Sequence, residues 1–442
     1  MYQQSSSQRG QALIIIAFGF LALTGFVALA IDGGMTYADR RHAQAATDSS
    51  SLAGAGIAAL HMENEHVFYH GFNCGLEAVI EAEELAVTAA INQAIVNTYV
   101  VDGDPGDGSG VETTCGIYDN GSYIDKYIDI TTHISDTVDT GFLHLVFGGE
   151  MFNHVHSTVR VRPRTPLALG YAIVGLNDDD CLGHQNGVMF SGSIEVLVDG
   201  GGVFSNGCLR GNGSSLIVDV DESPVRYVTE LECDPAGCPG FTPAPESASG
   251  GPLPEDAYTV PPPDCSGLPN KGKVTKGGTI SPGVYSEIDL HASGDTLIME
   301  PGLYCITGSP KAMVISGGTV QGYGVTIYAT KGEVLLSGNA QIQLSAPSES
   351  PDPTPAIPGI LIYLAKGNDG AVELEGNSDT WLTGTVYAPD GFIEAKGVSG
   401  THPTMHTQLI GHDVEIGGNA DIDIIFDGSR AYTKPTSIDM WK

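Results

Sequence analysis

The sequence predicts a multidomain chain in three parts: an N-terminal transmembrane helix, an α+β stalk domain, and an all-β, right-handed parallel β-helix (solenoid). Three observations predict it. Residues Ala12 to Ile31 carry no charge. Helical and then strand-like patterns follow as far as Pro166. Beyond Ala172, short β-branched runs alternate with Gly- and Asn-containing turns at a recurring step.

The anchor rests on length and composition. The only polar side chain between Ala12 and Ile31 is Thr24, and twenty helical residues rise about 30 Å, the thickness of a bilayer's hydrocarbon core. A cleaved signal peptide is the main rival, because Ala28-Leu29-Ala30 has the small-x-small form of a cleavage site. The apolar run is longer than a signal core, which favours a retained anchor bounded by Ala12 and Ile31.

Charge and cysteines place the remainder. Lys and Arg total 19 against 53 Asp and Glu, a formal net charge of −34. Such a surface repels phosphate backbones, so nucleic-acid binding is excluded, and it suits solubility outside a cell. All eight cysteines (Cys74, Cys115, Cys181, Cys208, Cys233, Cys238, Cys265, Cys305) follow the anchor. An even count without a C-x-x-C pair reads as structural disulfides in an oxidising compartment. The N-terminus is therefore expected inside the cytoplasmic membrane and the bulk outside. Eight cysteines permit 105 pairings. The simplest joins nearest neighbours: Cys74 with Cys115, Cys181 with Cys208, Cys233 with Cys238, and Cys265 with Cys305.

Residues 1–35 are expected to form a cytoplasmic tip and the membrane helix, and residues 36–170 the stalk. The Ala-, Ser- and Gly-rich run to Leu60 lacks Pro, so the helix is expected to continue past the membrane, with small side chains that admit a second helix. That second helix would bury Leu76, Ile80, Val87, Ile91 and Ile95. Tyr123 to Ile134 and Val155 to Val161 alternate as strands, with a short apolar helix, Gly141 to Phe147, between them.

The solenoid is expected in two pieces, residues 171–232 and 264–430, separated by a Pro-rich linker or excursion at 233–263 and followed by a tail at 431–442. Ser281-Pro-Gly-Val-Tyr285 recurs as Glu300-Pro-Gly-Leu-Tyr304, nineteen residues on. The pairs Gly338-Asn339, Gly376-Asn377 and Gly418-Asn419 are 38 and 42 residues apart, read as twice that step. Gly and Asn tolerate left-handed corners while Val, Ile and Leu stack inward. Pro347 to Pro358 reads as a loop thrown out of the stack. A β-sandwich shares the short strands but not the repeat.

No motif carries chemistry. Asp178-Asp179-Asp180 reads as a solvated acidic turn, with Ca²⁺ as the one ion it admits, and Asp102-x-Asp104-x-x-Asp107 departs from the EF-hand pattern at Gly106 and Thr113. His66 and His70, one helical turn apart, and His154 and His156, on one strand face, read as paired surface histidines; His402, His406 and His412 share one loop region. A polysaccharide lyase or hydrolase would need carboxylates and a base, such as Lys396, Arg210 or Arg226, in one groove. The acids Glu333, Glu373, Glu394 and Glu415 follow the coil step and are expected to be solvent-exposed outward positions. Catalytic, cofactor and metal residues are therefore expected to be none, and the chain is read as a non-enzyme.

Arg9-Gly10-Gln11-Ala12, an apolar helix, Asp32-Gly33-Gly34, and Arg40-Arg41-x-x-Gln44-x-Ala46-x-Asp48-x-x-x-Leu52-Ala53-x-Ala55 resemble the Tad-type (Flp pilus assembly, TadE/TadG-like) membrane module over roughly the first 60 residues. Leu382-Thr383-Gly384-Thr385-Val386-Tyr387-Ala388-Pro389 is similar to β-helical extensions appended to such modules. The resemblance implies an accessory role in a tight-adherence pilus or in surface attachment. The partners it implies are the membrane and other pilus or envelope proteins, with self-association through the N-terminal helix. A prepilin cut after Gly10 would carry Glu where Ile15 stands, so major-pilin processing does not follow. The alternatives are a surface carbohydrate-active enzyme on the same solenoid and a secreted adhesin released after Ala30.

Overall fold

A computed structural model describes residues 8–138, 141–142, 151–181, 187–221, 223–338, 340–348, 355–376, 380–398 and 402–441. The expected short helix Gly141 to Phe147 lies largely outside the described residues, as do Asn339 and Asn377. The chain divides into two units, one of residues 1–117, 126–164 and 436–442, the other of residues 118–125 and 165–435.

In the first unit, α1 (Gln8–Asn64) is one uninterrupted helix of 57 residues, about 85 Å long at 1.5 Å per residue. Its first part exposes large apolar side chains all round, with Phe20 73% and Phe26 75% accessible. From Ala43 the same helix turns one face inward: Ala43, Ala46, Ser50, Ala55, Ala58 and Met62 are buried. Opposite lies α2 (Glu77–Val96), which buries Val79, Ala82, Ala86, Ala90 and Ala94. The expected large-residue stripe is thus corrected: Ile80 and Ile95 are exposed, and Leu76, Val87 and Ile91 are only partly covered. Two small-residue faces pack closer than a leucine seam allows; a Cβ at Gly54 would meet the Ala86 carbonyl oxygen at 2.8 Å.

A four-stranded sheet completes this unit, in the order β1 (Gly110–Asp119), β2 (Ile124–Val138), β3 (Met151–Arg162) and Ser437–Trp441. β2 and β3 pair antiparallel from Ile128 opposite Val161 to Val138 opposite Met151. The inward row, Ile128, Ile130, Ile134, Val155, Val159 and Val161, joins the helices in one core. A Ser51 hydroxyl on α1 stitches the layers, donating to the Ser157 carbonyl at 2.8 Å and to Thr132 Oγ1 at 2.9 Å. Residues 437–441, expected as a tail, instead form an antiparallel edge strand on β3, Trp441 opposite Thr158. On the outer face Arg160 is sandwiched between the Tyr127 and Trp441 rings, at 3.4 and 4.0 Å, and ion-paired to Asp129 at 2.8 Å. An aromatic on each side of a paired guanidinium holds the last strand in register.

The second unit is a parallel β-solenoid of about 10 turns, three short strands to a turn. Gly278 pairs with Leu297 and Tyr363 with Tyr387, so an uninterrupted coil takes 19 to 24 residues. The inward rows are Val, Ile and Leu: Leu336, Leu374, Ala395, Ile416 and Phe190 stack in consecutive coils. Gly376, Gly397 and Gly418 also stack in register at a corner. There a Cβ at Gly397 would strike the Ala420 carbonyl oxygen, and Gly418 holds a φ of 120°. The 42-residue Gly-Asn interval spans two coils, Gly376 to Gly397 to Gly418, and the 38-residue one is corrected. Val334 pairs with Val372, so the 38-residue interval is a single coil enlarged by the loop after Pro347, whose carbonyl oxygen accepts the Gly359 N–H at 2.9 Å.

Two features of the path were not expected. The coils do not stack in chain order: the last one pairs with the first, Leu409 with Ile173, Val414 with Val188, and Ile422 with Val196. The stack therefore runs from residue 270 up to 425 and continues through 173 to 247. The Pro-rich segment also departs from a simple linker. Residues 231–234 and 241–242 are strands of the third coil, and residues 246–247 stack on 226–227 to begin a fourth. Residues 248–269 then run back down one side as a strap, which returns the chain to the far end. Leu253 donates its N–H to Asn206 at 2.9 Å, Val260 accepts the Tyr363 hydroxyl at 2.7 Å, Cys265 is bonded to Cys305, and Pro269 accepts the Val284 N–H at 2.9 Å. Thr433 and Lys434 pair with Pro166 and Thr165, so this unit's entrance and exit lie side by side.

Candidate functional surfaces

The strap lies over a row that ordinary alternation would leave polar. Val284, Cys305, Tyr328, Tyr363, Tyr387, Ile410, Val174 and Phe204 are in register, one per coil, on the outward side of their strands. All but the partly buried Val284 are buried with Ala248, Leu253 and Val260 of the strap. Tyr328, Tyr363 and Tyr387 meet edge to face at 5.2 and 5.0 Å, the arrangement that ring quadrupoles favour. Burial pushes the Tyr363 and Tyr387 hydroxyls above the ordinary phenol range. Sequence reasoning missed this row, although one signal was present. Ile360–Leu364 is apolar on both faces, as strands covered on both sides are. A cavity of about 560 Å³ opens beside the strap, lined by Tyr258, Pro261, Tyr387, Lys366, Asp390 and His412 among others.

A neighbouring face carries acids. Glu373, Glu394 and Glu415 are in register on consecutive coils, with Lys396 in contact with Glu394 at 2.5 Å. They are half-buried, a departure from the expected full exposure, because strands about 4.8 Å apart crowd their outward side chains against one another. Burial, reinforced by the Glu394 charge, raises the carboxyl groups of Glu373 and Glu415 above the usual range, although Ser191 donates to Glu415 at 2.9 Å. Glu333 lies beside Lys311 on the next coil. Arg210 continues the same register row two coils beyond Glu415, with Met189 between, and pairs with Glu232, whereas Arg226 pairs with Glu246 and Asp119 on another strand row.

These shifts set a pH dependence. An acid whose folded pKa is raised contributes stability in full below its unfolded pKa of about 4.5 and loses it as pH rises through the folded value. Thermal unfolding of the solenoid is therefore expected at higher temperature near pH 5 than at pH 7.5, and Glu373→Gln with Glu415→Gln should flatten that difference. Glu63 opposes it in the first unit. Burial favours its neutral form, but hydrogen bonds from Thr436 and the Arg164 guanidinium outweigh that and hold it below the usual range. Its contribution is present above pH 4.5 and fades as pH falls through its folded value.

The remaining sequence candidates separate. Asp178, Asp179 and Asp180 are exposed in a turn where Asn177 Oδ1 accepts the Asp179 N–H. Asp102 and Asp104 cap their own loop, accepting from the N–H groups of Asp104 and Gly106 at 2.8 and 3.0 Å. His66 and His70 are not one helical turn apart, because α1 ends at Asn64 and His66 takes a φ of 54°. His402, His406 and His412 do not share a loop: His402 binds Asp423 at 2.8 Å, while His406 and His412 lie along the strand Thr404–Gly418. His154 and His156 lie on the outer face of β3, with His133 opposite His156. Four disulfides join Cys74 to Cys115, Cys181 to Cys208, Cys233 to Cys238, and Cys265 to Cys305.

The motif residues of α1 have distinct places. Asp32, 1% exposed where the apolar run ends, accepts the N–H groups of Gly141 at 3.0 Å and Phe142 at 2.9 Å. Gln44 donates to Asp48 at 2.8 Å and to the His156 carbonyl at 3.3 Å, so it ties the helix to β3. Arg40 and Arg41 are exposed. No characterised protein and no solved structure matches the chain. Residues 10–58 match the family model of Flp pilus-assembly TadE/G-like proteins (Tad), so the apolar helix and the alanine-rich segment that continues it are similar to the membrane module of that family.

Proposed function

We propose that the chain is an accessory structural component of a Tad-type pilus or surface-attachment system. Residues 12–31 hold it in the cytoplasmic membrane with the N-terminus inside, and both folded units stand outside. The single observation that carries this reading is the TadE/G-like match over residues 10–58, which covers an apolar helix with no core around its first half. Four disulfides support the oxidising side for the bulk. The mechanism is geometric: the anchor fixes position, and the solenoid offers a rigid, non-catalytic surface to pilus partners or to a substratum. Deletion of the gene is expected to abolish or shorten surface pili, or to impair attachment, with rescue by the full chain and not by one lacking residues 12–31. N-terminal sequencing of the native protein should find no start at Ile31; finding it would make the protein a secreted adhesin.

The half-buried row of Glu373, Glu394 and Glu415 beside Lys396 favours one second reading, a surface carbohydrate-active enzyme. Turnover of an acidic polysaccharide by the purified chain, lost in Glu394→Gln, would replace the structural reading with this one.

A further inference from the structure

We propose that the outer face of the sheet in the first unit carries a transition-metal site built from His133, His154 and His156, taking a borderline divalent ion such as Zn²⁺, Ni²⁺ or Cu²⁺. The placement comes from strand geometry. Residues two apart project to the same side, which puts His154 and His156 together on β3, and the antiparallel register sets His133 of β2 directly across from His156. The imidazole of His133 lies 5.6 Å from that of His156 and 6.0 Å from that of His154, with interplanar angles of 23° and 29°.

Two of the three rings, His154 and His133, have a partner on one nitrogen. Ser135 Oγ is 2.7 Å from His154 Nδ1, and Glu112 Oε1 is 3.3 Å from His133 Nε2. Hydrogen bonding at one nitrogen fixes the ring and leaves the other for a metal, the outer-shell arrangement of histidine ligands. In the present rotamers the rings stack, and among the described residues no three ligands already converge on a point. Closing the site requires the imidazoles to tilt inward until three nitrogens lie about 2.0–2.1 Å from one ion. His154 and His156 are exposed, so rotation of their side chains is fast and meets little packing. Three imidazoles select Zn²⁺, Cu²⁺ or Ni²⁺ over Ca²⁺ or Mg²⁺, which prefer oxygen donors. The net charge of −34 concentrates cations near the surface without choosing among them. Such a site leaves one position open to water or to a donor from another molecule, and the ion would clamp β2 to β3.

The test uses the full chain in detergent micelles, stripped with a chelator and titrated with ZnCl₂ in excess Mg²⁺, with CuCl₂ for electron paramagnetic resonance. One saturable Zn²⁺ site per chain is expected, with hyperfine splitting from at least two imidazole nitrogens on Cu²⁺. His133→Ala and the double change His154→Ala, His156→Ala should each weaken Zn²⁺ at least about tenfold, and Glu112→Gln by about tenfold. His402→Ala, which alters a histidine of the solenoid, should change nothing. Absence of saturable binding, displacement by Mg²⁺, or an affinity unaltered by the double change would overturn the proposal. The nitrogen count in the unaltered chain decides independently of how any variant folds; fewer than two refutes it.

Discussion

Tyr363→Ala is expected to destabilise the solenoid by about 3–5 kcal/mol, as for other buried aromatics cut back to alanine. Tyr363 is 3% exposed, packs edge to face on Tyr328 and Tyr387, and holds the strap through the Val260 carbonyl. The loss combines a cavity under the strap with a missing hydrogen bond. Tyr363→Phe separates the two: it keeps the ring and should cost only about 1 kcal/mol. Urea unfolding followed by circular dichroism measures both. A shift below about 1 kcal/mol for the alanine variant would mean that the strap does not seal the tyrosine row. Limited proteolysis gives a second readout, since the alanine variant should be cut within residues 248–262 sooner than the parent chain.

The second large effect is expected at Gly54. Any side chain there meets the Ala86 carbonyl oxygen at 2.8 Å, Ile130 Cγ2 at 3.1 Å and Ala90 Cβ at 3.3 Å. Two of these neighbours belong to a helix and one to a strand, so none can yield alone. Gly54→Val should therefore force α1 away from α2 and cost about 1–3 kcal/mol or more through overpacking. Gly56 is the internal control. Nothing lies within 4 Å of a Cβ built there, and Gly56→Ala should stabilise the helix by up to about 1 kcal/mol. Opposite signs two residues apart are the signature of a helix with one crowded face. Equal effects would contradict the close crossing.

Much of this architecture could be read from residue patterns. The absence of charge from Ala12 to Ile31 and of Pro as far as Leu60 was enough to indicate one long helix. The recurring Pro-Gly-x-Tyr motif was enough to indicate a coil: Tyr285 and Tyr304 stack at 5.8 Å in adjacent turns. Other features were illegible for physical reasons. The buried face of α2 is made of alanines, which pattern reading passes over in favour of Ile80 and Ile95, because it weighs side-chain size and not how closely two helices approach. Pairing of Ser437–Trp441 with β3 depends on a partner nearly three hundred residues earlier, and no local period encodes that. The histidines illustrate the same limit, for a single strand shows His154 and His156 but not that His133 faces them. Proline content suggested a linker or excursion at 233–263 without showing that it packs along the stack, since Pro also suits an extended strap that needs few backbone partners of its own.

The stacking of residues 404–425 on residues 173–199 has a consequence for how the protein is made. Synthesis proceeds from the N-terminus, so the first three coils emerge long before the coil that covers their edge. Until then Ile173, Val188 and Val196 sit in a strand row with unpaired N–H and C=O groups, a ready template for wrong partners. Contacts this distant along the chain also form slowly, since the loop between them must close first. Completion of the solenoid is thus a late event that reports on the arrival of residues 404–425, and the sheet of the first unit waits for residues 437–441 in the same way. A chain that has not yet supplied residues 404–425 and 437–441 displays both open edges at once, which gives chaperones and proteases a direct means of recognising it.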